Sequence, residues 1–237
     1  MYDFDIVGHR GAPRAAPENT LLSFKLAMDM GADWIEFDLH ESKDGVPVVI
    51  HDDTVDRTTN GHGKVRGMTF GQLEKLDAGN GQRIPSLQQV IDLAKGKVKM
   101  DMEIKEEGIE KDVVKSIENN DIIGQCMVSS FLYGSIKKVK ELNPDIMTAA
   151  IMDKMPGDIA KCLDTLFDDV NTRILMISKK LAIEPFIGEI RRYGFHVGIW
   201  NADTPDEIER LAAIDPYYLC GNYPDRLVEL KFIVAKH

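Results

Sequence analysis

Short apolar, β-rich runs alternate along this chain with longer segments whose apolar residues recur at helical spacing. Two of the extended runs carry charges at every second position, with Glu36 and Asp38 in one run and Glu103 and Lys105 in the other. Side chains two residues apart on a strand point to the same face, so each run predicts a strand with one charged face and one apolar face. Buried carboxylates repel each other unless a cation lies between them. The pattern therefore predicts two strands facing one shared centre, and a metal ion is the expected occupant.

The alternation of runs predicts eight parallel strands, each followed by a helix, and one additional extended run. A (β/α)8 barrel commonly fills a chain of this length as a single α/β domain, so we predict one TIM barrel over residues 1–237. An open doubly wound sheet is the alternative, but no Gly-x-Gly-x-x-Gly follows the first strand. The predicted strands are 5–8, 34–40, 98–104, 126–130, 146–151, 174–177, 195–200 and 217–220, and the additional run is 46–50. The predicted helices are 20–30, 86–94, 109–116, 133–142, 158–166, 183–193, 204–213 and one that begins near residue 224.

Periodicity weakens between the second and third strands of the predicted barrel. Residues 52–85 are rich in glycine and polar residues, which predicts a small insertion after strand 2 that lies over one end of the barrel. Asn19 is predicted either to cap the first helix or to reach the site together with Glu18. Ser86 and Thr204 each precede a helical pattern with the spacing of a capping box.

Most of the polar candidates for chemistry lie where a predicted strand ends. In a (β/α)8 barrel the carboxyl ends of the strands meet at one mouth, where the active sites of this fold lie. Histidine can move protons near neutral pH, and basic side chains can bind a small anionic substrate. The candidates at the mouth are His9, Arg10, Glu36, Asp38, Glu103, Lys105, Trp200 and Asn222-Tyr223, and the additional extended run ends at His51.

Composition excludes several other classes of protein. The chain has 237 residues, 43% of them hydrophobic and 29% charged, with a formal net charge of −10. Such an acidic chain is not expected to bind nucleic acid or an anionic membrane through general electrostatics. Its three cysteines fit neither a disulfide framework nor a zinc site. With no signal-peptide pattern at Met1-Tyr2 and no apolar run that could span a bilayer, we expect a cytoplasmic protein without stable membrane anchoring.

An ordered set of short motifs resembles the glycerophosphodiester phosphodiesterase family. The motifs extend from near the first residue to near the last, and their order makes the set specific although each is weak alone. They are His9-Arg10-Gly11, Pro17-Glu18-Asn19-Thr20, Glu36-x-Asp38, Lys43-Asp44-Gly45, His51-Asp52, Glu103-x-Lys105 and Gly221-Asn222-Tyr223-Pro224-Asp225.

The resemblance implies a metal-dependent hydrolase that releases glycerol 3-phosphate and an alcohol from a small glycerophosphodiester. It implies that Glu36, Asp38 and Glu103 bind one divalent cation, Mg²⁺ or Ca²⁺, and oxygen ligands independently favour such hard cations. It also implies a general acid–base pair of His9 and His51, with Arg10 and Lys105 as phosphate ligands. Among the aromatic residues, Trp200 is the expected wall of the substrate pocket, whereas Phe131 is expected in the core. The alternative for the carboxylates is a plain ion-pair network with Arg10 and Lys105.

The chain departs from the family pattern at the seventh and eighth strands. It has Trp200-Asn201-Ala202-Asp203 where the family usually has Trp-Thr-Val-Asn, and Cys220-Gly221 where a threonine usually precedes Asn222. These changes bear on substrate preference rather than on the implied metal ligands or histidines. The alternative activities are a lysophospholipase D or a phospholipase C-like cleavage of lipids. The non-enzymatic alternative is a silent barrel that binds phosphodiesters, and the oligomeric state stays open.

Overall fold

The computed structural model describes residues 3–233, and the chain folds into a closed barrel of eight parallel strands. The parallel strands are β1 (Asp5–Gly8), β2 (Trp34–Glu41), β4 (Lys99–Ile104), β5 (Cys126–Ser130), β6 (Met147–Met152), β7 (Ile174–Ser178), β8 (His196–Trp200) and β9 (Tyr218–Gly221). Strand β1 pairs with both β2 and β9, which closes the barrel. The additional extended run forms β3 (Pro47–Val49), which pairs antiparallel with the end of β2. The predicted (β/α)8 fold is therefore confirmed.

Helices lie between the parallel strands and form the outer layer. They are α1 (Leu21–Asp29), α2 (Phe70–Leu73), α3 (Leu87–Ala94), α4 (Glu110–Asn119), α5 (Tyr133–Leu142), α6 (Ile159–Asp164), α7 (Glu184–Arg192), α8 (Pro205–Ala212) and α9 (Pro224–Ile233). The capping boxes at Ser86 and Thr204 are both present, as predicted. Within the part of the chain that is described, no helix combines the length and apolar character needed to cross a membrane.

The N-cap of α1 differs from the first of the two predictions made for Asn19. Thr20 rather than Asn19 caps the helix, and its side-chain oxygen accepts a hydrogen bond from the Ser23 backbone N–H at 3.2 Å. Asn19 instead has a φ of 57°, in the left-handed region, and its side chain donates to Asp38 at 2.7 Å. The N-cap prediction was wrong because the Asn19 side chain bonds to Asp38, which is distant in sequence, and the helix begins one residue later.

The side chains of β2 alternate between the core outside the barrel and the barrel interior. Ile35, Phe37 and Leu39 point outward and pack with α1 and α3 in the layer between barrel and helices. Trp34, Glu36 and Asp38 alternate with them and so point inward. Apolar side chains fill the barrel interior between the carboxylates and the Asp5–Lys99 ion pair at the amino ends of β1 and β4. The inner cluster consists of Val7, Trp34, Met127, Ala149, Ile151, Ile174, Met176, Tyr218 and Cys220.

Segment 52–85 contains more regular structure than its weak periodicity indicates. It includes a single 3₁₀ turn at Val65–Gly67 and the short helix α2. Val55, Val65 and Leu73 from this segment pack with Val48 and Ile50 in a small core of their own. The segment contacts the mouth of the barrel through Arg57, whose guanidinium bonds to Glu18 and Asp52. A small satellite core thus carries the loop that follows His51.

Candidate active site

The carboxyl ends of the parallel strands surround a cavity of about 160 Å³ at one end of the barrel. Seven of the eight residues with an expected catalytic, metal-binding or substrate-binding role line it: His9, Arg10, Glu36, His51, Glu103, Lys105 and Trp200. Asp38, the eighth, is 1% exposed and lies beside Arg10 and Lys105. The structure thus brings residues from five separate stretches of sequence to one site.

Three carboxylates from two neighbouring strands converge at the floor of this cavity. Glu103 lies opposite Asp38 in the register of β4 with β2, and Glu36 lies two residues earlier on β2. One oxygen from each of the three residues lies within 4.8 Å of the other two. Glu36 Oε1 and Asp38 Oδ1 are buried and accept no hydrogen bond from the described residues. Buried carboxylate oxygens without donors are suited to bind a cation, so this donor set fits one hard metal ion.

The electrostatics of the three carboxylates reflect their crowding. Burial, together with the neighbouring charges of Asp38 and Glu103, raises the pKa of Glu36 well above its usual range. Burial and the charge of Asp38 raise the pKa of Glu103 to about 7. Burial also opposes ionisation of Asp38, but Arg10 and Lys105 outweigh it and hold the pKa of Asp38 below its usual value. A divalent cation would relieve the repulsion that the two basic residues balance only in part.

Arg10 and Lys105 place two positive charges against the carboxylates. The Arg10 backbone N–H donates to Glu36 Oε2 at 2.7 Å, and its guanidinium lies 3.3 Å from Asp38 and 2.7 Å from Glu18. Lys105 Nζ lies 2.6 Å from Glu103 Oε1 and 3.4 Å from Asp38 Oδ1. The ion-pair network considered as an alternative to a metal site is therefore present, although it leaves Glu36 Oε1 without a partner among the described residues.

The two candidate histidines have different neighbours. His9 Nδ1 lies 2.8 Å from Asn222 Oδ1, and burial together with the charge of Arg10 lowers the pKa of His9 to about 4. His51 Nδ1 lies 2.6 Å from Asp52 Oδ1. Burial lowers the pKa of His51, while Asp38 and Asp52 oppose this shift. The His9 imidazole is therefore neutral near pH 7 and able to accept a proton, whereas the neighbouring carboxylates favour the protonated form of His51.

His40 shares the inward face of β2 with the carboxylates but has a structural position. It is buried, and its Nε2 lies 3.1 Å from the backbone carbonyl oxygen of His51, while its Nδ1 lies 3.5 Å from Glu106. The His40 ring thus supports the backbone at His51, and His40 lies outside the cluster of Glu36, Asp38 and Glu103.

Asp101 is a residue of the cavity that the sequence analysis did not single out. It lies opposite Glu36 in the β2–β4 register and accepts a hydrogen bond from Ser129 Oγ at 2.6 Å. Burial raises the pKa of Asp101 to about 7. Its position two residues before Glu103, on the same strand face, was the available signal.

The cavity has one charged half and one apolar half. Its charged residues and histidines all come from residues 9–105, whereas its lining from β5 onward is Ser129, Phe131, Ile151, Met176, Trp200 and Cys220. The Phe131 and Trp200 rings meet edge to face with their centroids 6.0 Å apart. The Trp200 indole N–H donates to the Met176 carbonyl at 3.2 Å, which fixes the ring as one wall.

Comparison with known proteins agrees with this geometry. The chain is 32% identical over 246 residues to a glycerophosphodiester phosphodiesterase of Caldanaerobacter subterraneus, covering 95% of this chain and 96% of the relative. It superposes on the crystal structure of a glycerophosphodiester phosphodiesterase from Agrobacterium tumefaciens with a TM-score of 0.84 and 29% identity, covering 95% of this chain and 99% of the other.

A third similar protein carries a bound molecule. It is an Oleispira antarctica phosphodiesterase in complex with the product sn-glycerol-3-phosphate, with a TM-score of 0.86, 25% identity and 96% coverage of both chains. The sequence profile of the glycerophosphoryl diester phosphodiesterase family matches residues 9–226, which is nearly the whole chain. With the ordered motifs, the barrel and the site in agreement, this chain belongs to that family.

Proposed function

We propose that this glycerophosphodiester phosphodiesterase hydrolyses small glycerophosphodiesters to glycerol 3-phosphate and an alcohol, with one bound Mg²⁺ or Ca²⁺ and two catalytic histidines. The observation that carries the proposal is the convergence of three carboxylates, two basic side chains and two imidazoles at one site. Cleavage of a phosphodiester requires neutralisation of phosphate charge and movement of protons at both the attacking and the departing oxygen. The similar Oleispira antarctica phosphodiesterase, with its bound product, supports the assignment of substrate class.

The proposed cation ligands are Glu36, Asp38 and Glu103. Their oxygens fit the cation because they are buried, close together and short of hydrogen-bond donors. When bound, the cation would neutralise charge on the non-bridging phosphate oxygens and lower the pKa of an attacking hydroxyl group.

Arg10 and Lys105 are proposed to bind the remaining phosphate oxygens. Burial opposes the charge on each residue, but Asp38 raises the pKa of Arg10, and Glu103 and Asp38 raise the pKa of Lys105, so both stay protonated. The planar guanidinium suits two oxygens at once, and the ammonium acts as a point charge. These charges stabilise most strongly the state in which the phosphorus has five oxygen neighbours.

The two histidines divide the proton transfers. His9, with Nδ1 turned toward Asn222, is assigned as the general base that takes a proton from the nucleophile. The nucleophile is either water or the glycerol hydroxyl next to the phosphate ester. In the second route the hydroxyl expels the alcohol and forms a cyclic phosphate, and water then opens its ring to give glycerol 3-phosphate. His51 is assigned as the general acid that protonates the departing alcohol. Asp52 and the negative charge of the substrate both favour the protonated form of the His51 imidazole.

The apolar half of the cavity favours a second substrate class within the same chemistry. Phe131, Ile151 and Met176 line the cavity from the end of β5, from β6 and from β7, and Phe131 is 40% exposed. An apolar lining of this kind suits the acyl chain of a lysophospholipid, so a lysophospholipase D or phospholipase C-like activity is the alternative to hydrolysis of small diesters. A silent phosphodiester-binding barrel has no need of two histidines in the cavity.

One assay separates these functions. Glycerophosphocholine and lysophosphatidylcholine are supplied separately with Mg²⁺ or Ca²⁺, and glycerol 3-phosphate, choline and lysophosphatidic acid are quantified. We expect faster turnover of glycerophosphocholine, with His9→Ala and His51→Ala as inactive references. Preferential release of choline and lysophosphatidic acid from the lipid would assign the lysophospholipase D activity. Binding without turnover of either substrate would assign the silent barrel.

A further inference from the structure

A chain of hydrogen bonds connects the His9 ring to an aspartate that has no place in the proposed reaction so far. His9 Nδ1 lies 2.8 Å from Asn222 Oδ1, and Asn222 Nδ2 donates to Asp203 Oδ2 at 2.8 Å. The Asn222 backbone N–H donates to the other carboxylate oxygen, Asp203 Oδ1, at 2.9 Å. Asp203 belongs to the segment where the chain departs from the family pattern.

Asp203 is itself held firmly at the end of β8. Its backbone N–H donates to Glu207 Oε2 at 3.2 Å, and its carbonyl oxygen accepts a hydrogen bond from Arg226 at 3.0 Å. These contacts fix the carboxylate relative to α8 and α9. The Asp203 carboxylate therefore has a fixed position from which it can orient the Asn222 side chain.

The carboxylate determines which way the Asn222 amide points. Carboxylate oxygens only accept hydrogen bonds, so the amide atom that faces Asp203 must be the nitrogen. The Asn222 oxygen then necessarily faces His9. An oxygen at 2.8 Å requires a donor, and so the proton of the neutral His9 ring resides on Nδ1.

Asn201 also contacts the His9 ring but does not determine the tautomer. Its Nδ2 lies 3.2 Å from His9 Nδ1, a longer contact than that of Asn222, and its Oδ1 is buried with no hydrogen-bond partner among the described residues. Within the described part of the chain, no other group therefore fixes the orientation of the Asn201 amide. The Asn201 amide can therefore turn either its oxygen or its nitrogen toward His9, whereas Asp203 fixes the orientation of the Asn222 amide.

We infer that Asp203 is a positioning residue that acts through Asn222 to hold His9 in the tautomer with a proton on Nδ1 and a free electron pair on Nε2. This inference rests on the proposed role of His9 as general base. The described residues give His9 Nε2 no hydrogen-bond partner, and the ring lines the cavity. During the reaction, the proton of the attacking hydroxyl passes to Nε2, while Nδ1–H keeps its bond to Asn222.

The Asp203→Asn variant should invert this arrangement without changing the shape of the side chain. The Asn222 backbone N–H can only donate, so it would bind the oxygen of the introduced amide, whose nitrogen would then face the Asn222 side chain. The Asn222 side chain would turn its oxygen toward position 203 and its nitrogen toward His9 Nδ1. The His9 proton would shift to Nε2, and this nitrogen could then no longer accept a proton from the nucleophile.

The test combines kinetics with ¹⁵N NMR of histidine-labelled full-length protein, in which a His9→Gln variant identifies the His9 signals. Wild-type His9 should show a protonated Nδ1, and Asp203→Asn should move the proton to Nε2. With Mg²⁺ or Ca²⁺ present, kcat for glycerophosphocholine should fall on the order of 10²-fold with KM within about twofold. Asp206→Asn removes the same charge from the exposed start of α8 and should change neither the tautomer nor kcat.

A double variant distinguishes positioning from simple structural support. In Asp203→Asn combined with Asn222→Asp, a carboxylate at position 222 accepts from both His9 Nδ1–H and the amide introduced at position 203, so the tautomer and most of kcat should return. If the role of Asp203 were purely structural, Asp203→Asn would lower Tm without moving the His9 proton, and the double variant would recover none of the lost kcat. A proton that stays on Nδ1 in Asp203→Asn would overturn the inference even if the enzyme is active. The NMR result holds whether or not glycerophosphodiesters are the substrates, so failure of the proposed function would be recognised separately.

Discussion

Arg57 donates two hydrogen bonds to Glu18, at 2.8 and 3.0 Å, across 39 residues of sequence. The same guanidinium donates to both carboxylate oxygens of Asp52, at 2.7 and 3.0 Å. Glu18 contacts Arg10, and Asp52 contacts His51. One exposed arginine in segment 52–85 therefore connects the loop after β1 with the loop that carries His51.

Arg57→Lys should lower kcat with little effect on stability. Lysine keeps the charge but cannot reach both carboxylates with a rigid fork, so the His51 loop loses its fixed position. Misplacement of a catalytic group costs up to about 10²-fold in rate, whereas exposed ion pairs contribute only about 0–1 kcal/mol to stability. Arg83→Lys, an exposed arginine of the same segment, is the control for kcat and Tm. Equal kinetics of the two variants would mean that Arg57 does not hold the loop.

Removal of divalent cations should abolish turnover and lower Tm. A ligand that binds only the folded state stabilises it, by about 2.7 kcal/mol at 100 times its Kd. Glu36→Gln should reduce the rise of Tm on addition of Mg²⁺ or Ca²⁺. Glu110→Gln changes a buried glutamate on α4, outside the cluster, and should keep the full rise. Full activity after exhaustive dialysis against EDTA would contradict a catalytic metal.

The two histidine variants should respond differently to the leaving group. A nitrophenyl ester of glycerol 3-phosphate needs no proton on the departing oxygen, because nitrophenolate is a stable anion. His51→Ala should therefore lose about 10²- to 10⁴-fold in kcat on glycerophosphocholine and much less on the nitrophenyl ester. His9→Ala should be slow on both substrates. The reverse pattern would exchange the two assignments.

Lys105→Ala should lower kcat rather than raise only KM. Lys105 Nζ is 2.6 Å from Glu103, beside the proposed metal, where charge on the phosphate increases during the reaction. Loss of such a contact typically costs about 10²- to 10³-fold in kcat. Lys99 lies at the other end of β4 and is paired with Asp5, so Lys99→Ala is the control and should keep the wild-type kcat. An effect on KM alone would make Lys105 a ligand of the ground state only.

His9 should make the protein less stable as the pH falls. Its pKa in the fold is about 4, below the ordinary value of 6.5, so between these pH values the unfolded chain binds a proton that the folded chain does not. The free energy of unfolding therefore decreases through this window, by at most about 3 kcal/mol from this group. Denaturation of wild type and His9→Gln in EDTA at pH 7 and pH 4.5 measures the difference. An equal loss of unfolding free energy from pH 7 to pH 4.5 in the two proteins would contradict the lowered pKa of His9.

The order of strands and helices could be predicted because each strand carries its own local pattern. Strand β2 shows this well, since its alternation of acidic and apolar residues defines both its inner and outer faces. Boundaries were less predictable, as with α1, because the side chain of Asn19 is engaged by Asp38 from another strand. The short helix α2 escaped prediction since four residues give too little periodicity.

The residues that meet at the mouth could be predicted with the exception of Asp101, whereas the hydrogen bonds between distant loops could not. Strand ends identify which side chains reach the mouth, since parallel strands end together. Nothing in the sequence relates Asp203 to Asn222, which are 19 residues apart, or Arg57 to Glu18. Such contacts depend on loop conformations that tertiary packing selects. The supporting hydrogen bonds of the histidines therefore emerge only from the three-dimensional arrangement.

The division of the cavity into a charged half and an apolar half gives the enzyme two separately adjustable parts. Phe131, Ile151 and Met176 line the cavity from the end of β5, from β6 and from β7, which supply none of its charged side chains. Substitutions there can therefore change which alcohol is accepted while the groups that contact the phosphate stay in place. A library restricted to these three positions is a compact way to evolve new head-group preferences on an unchanged hydrolytic centre.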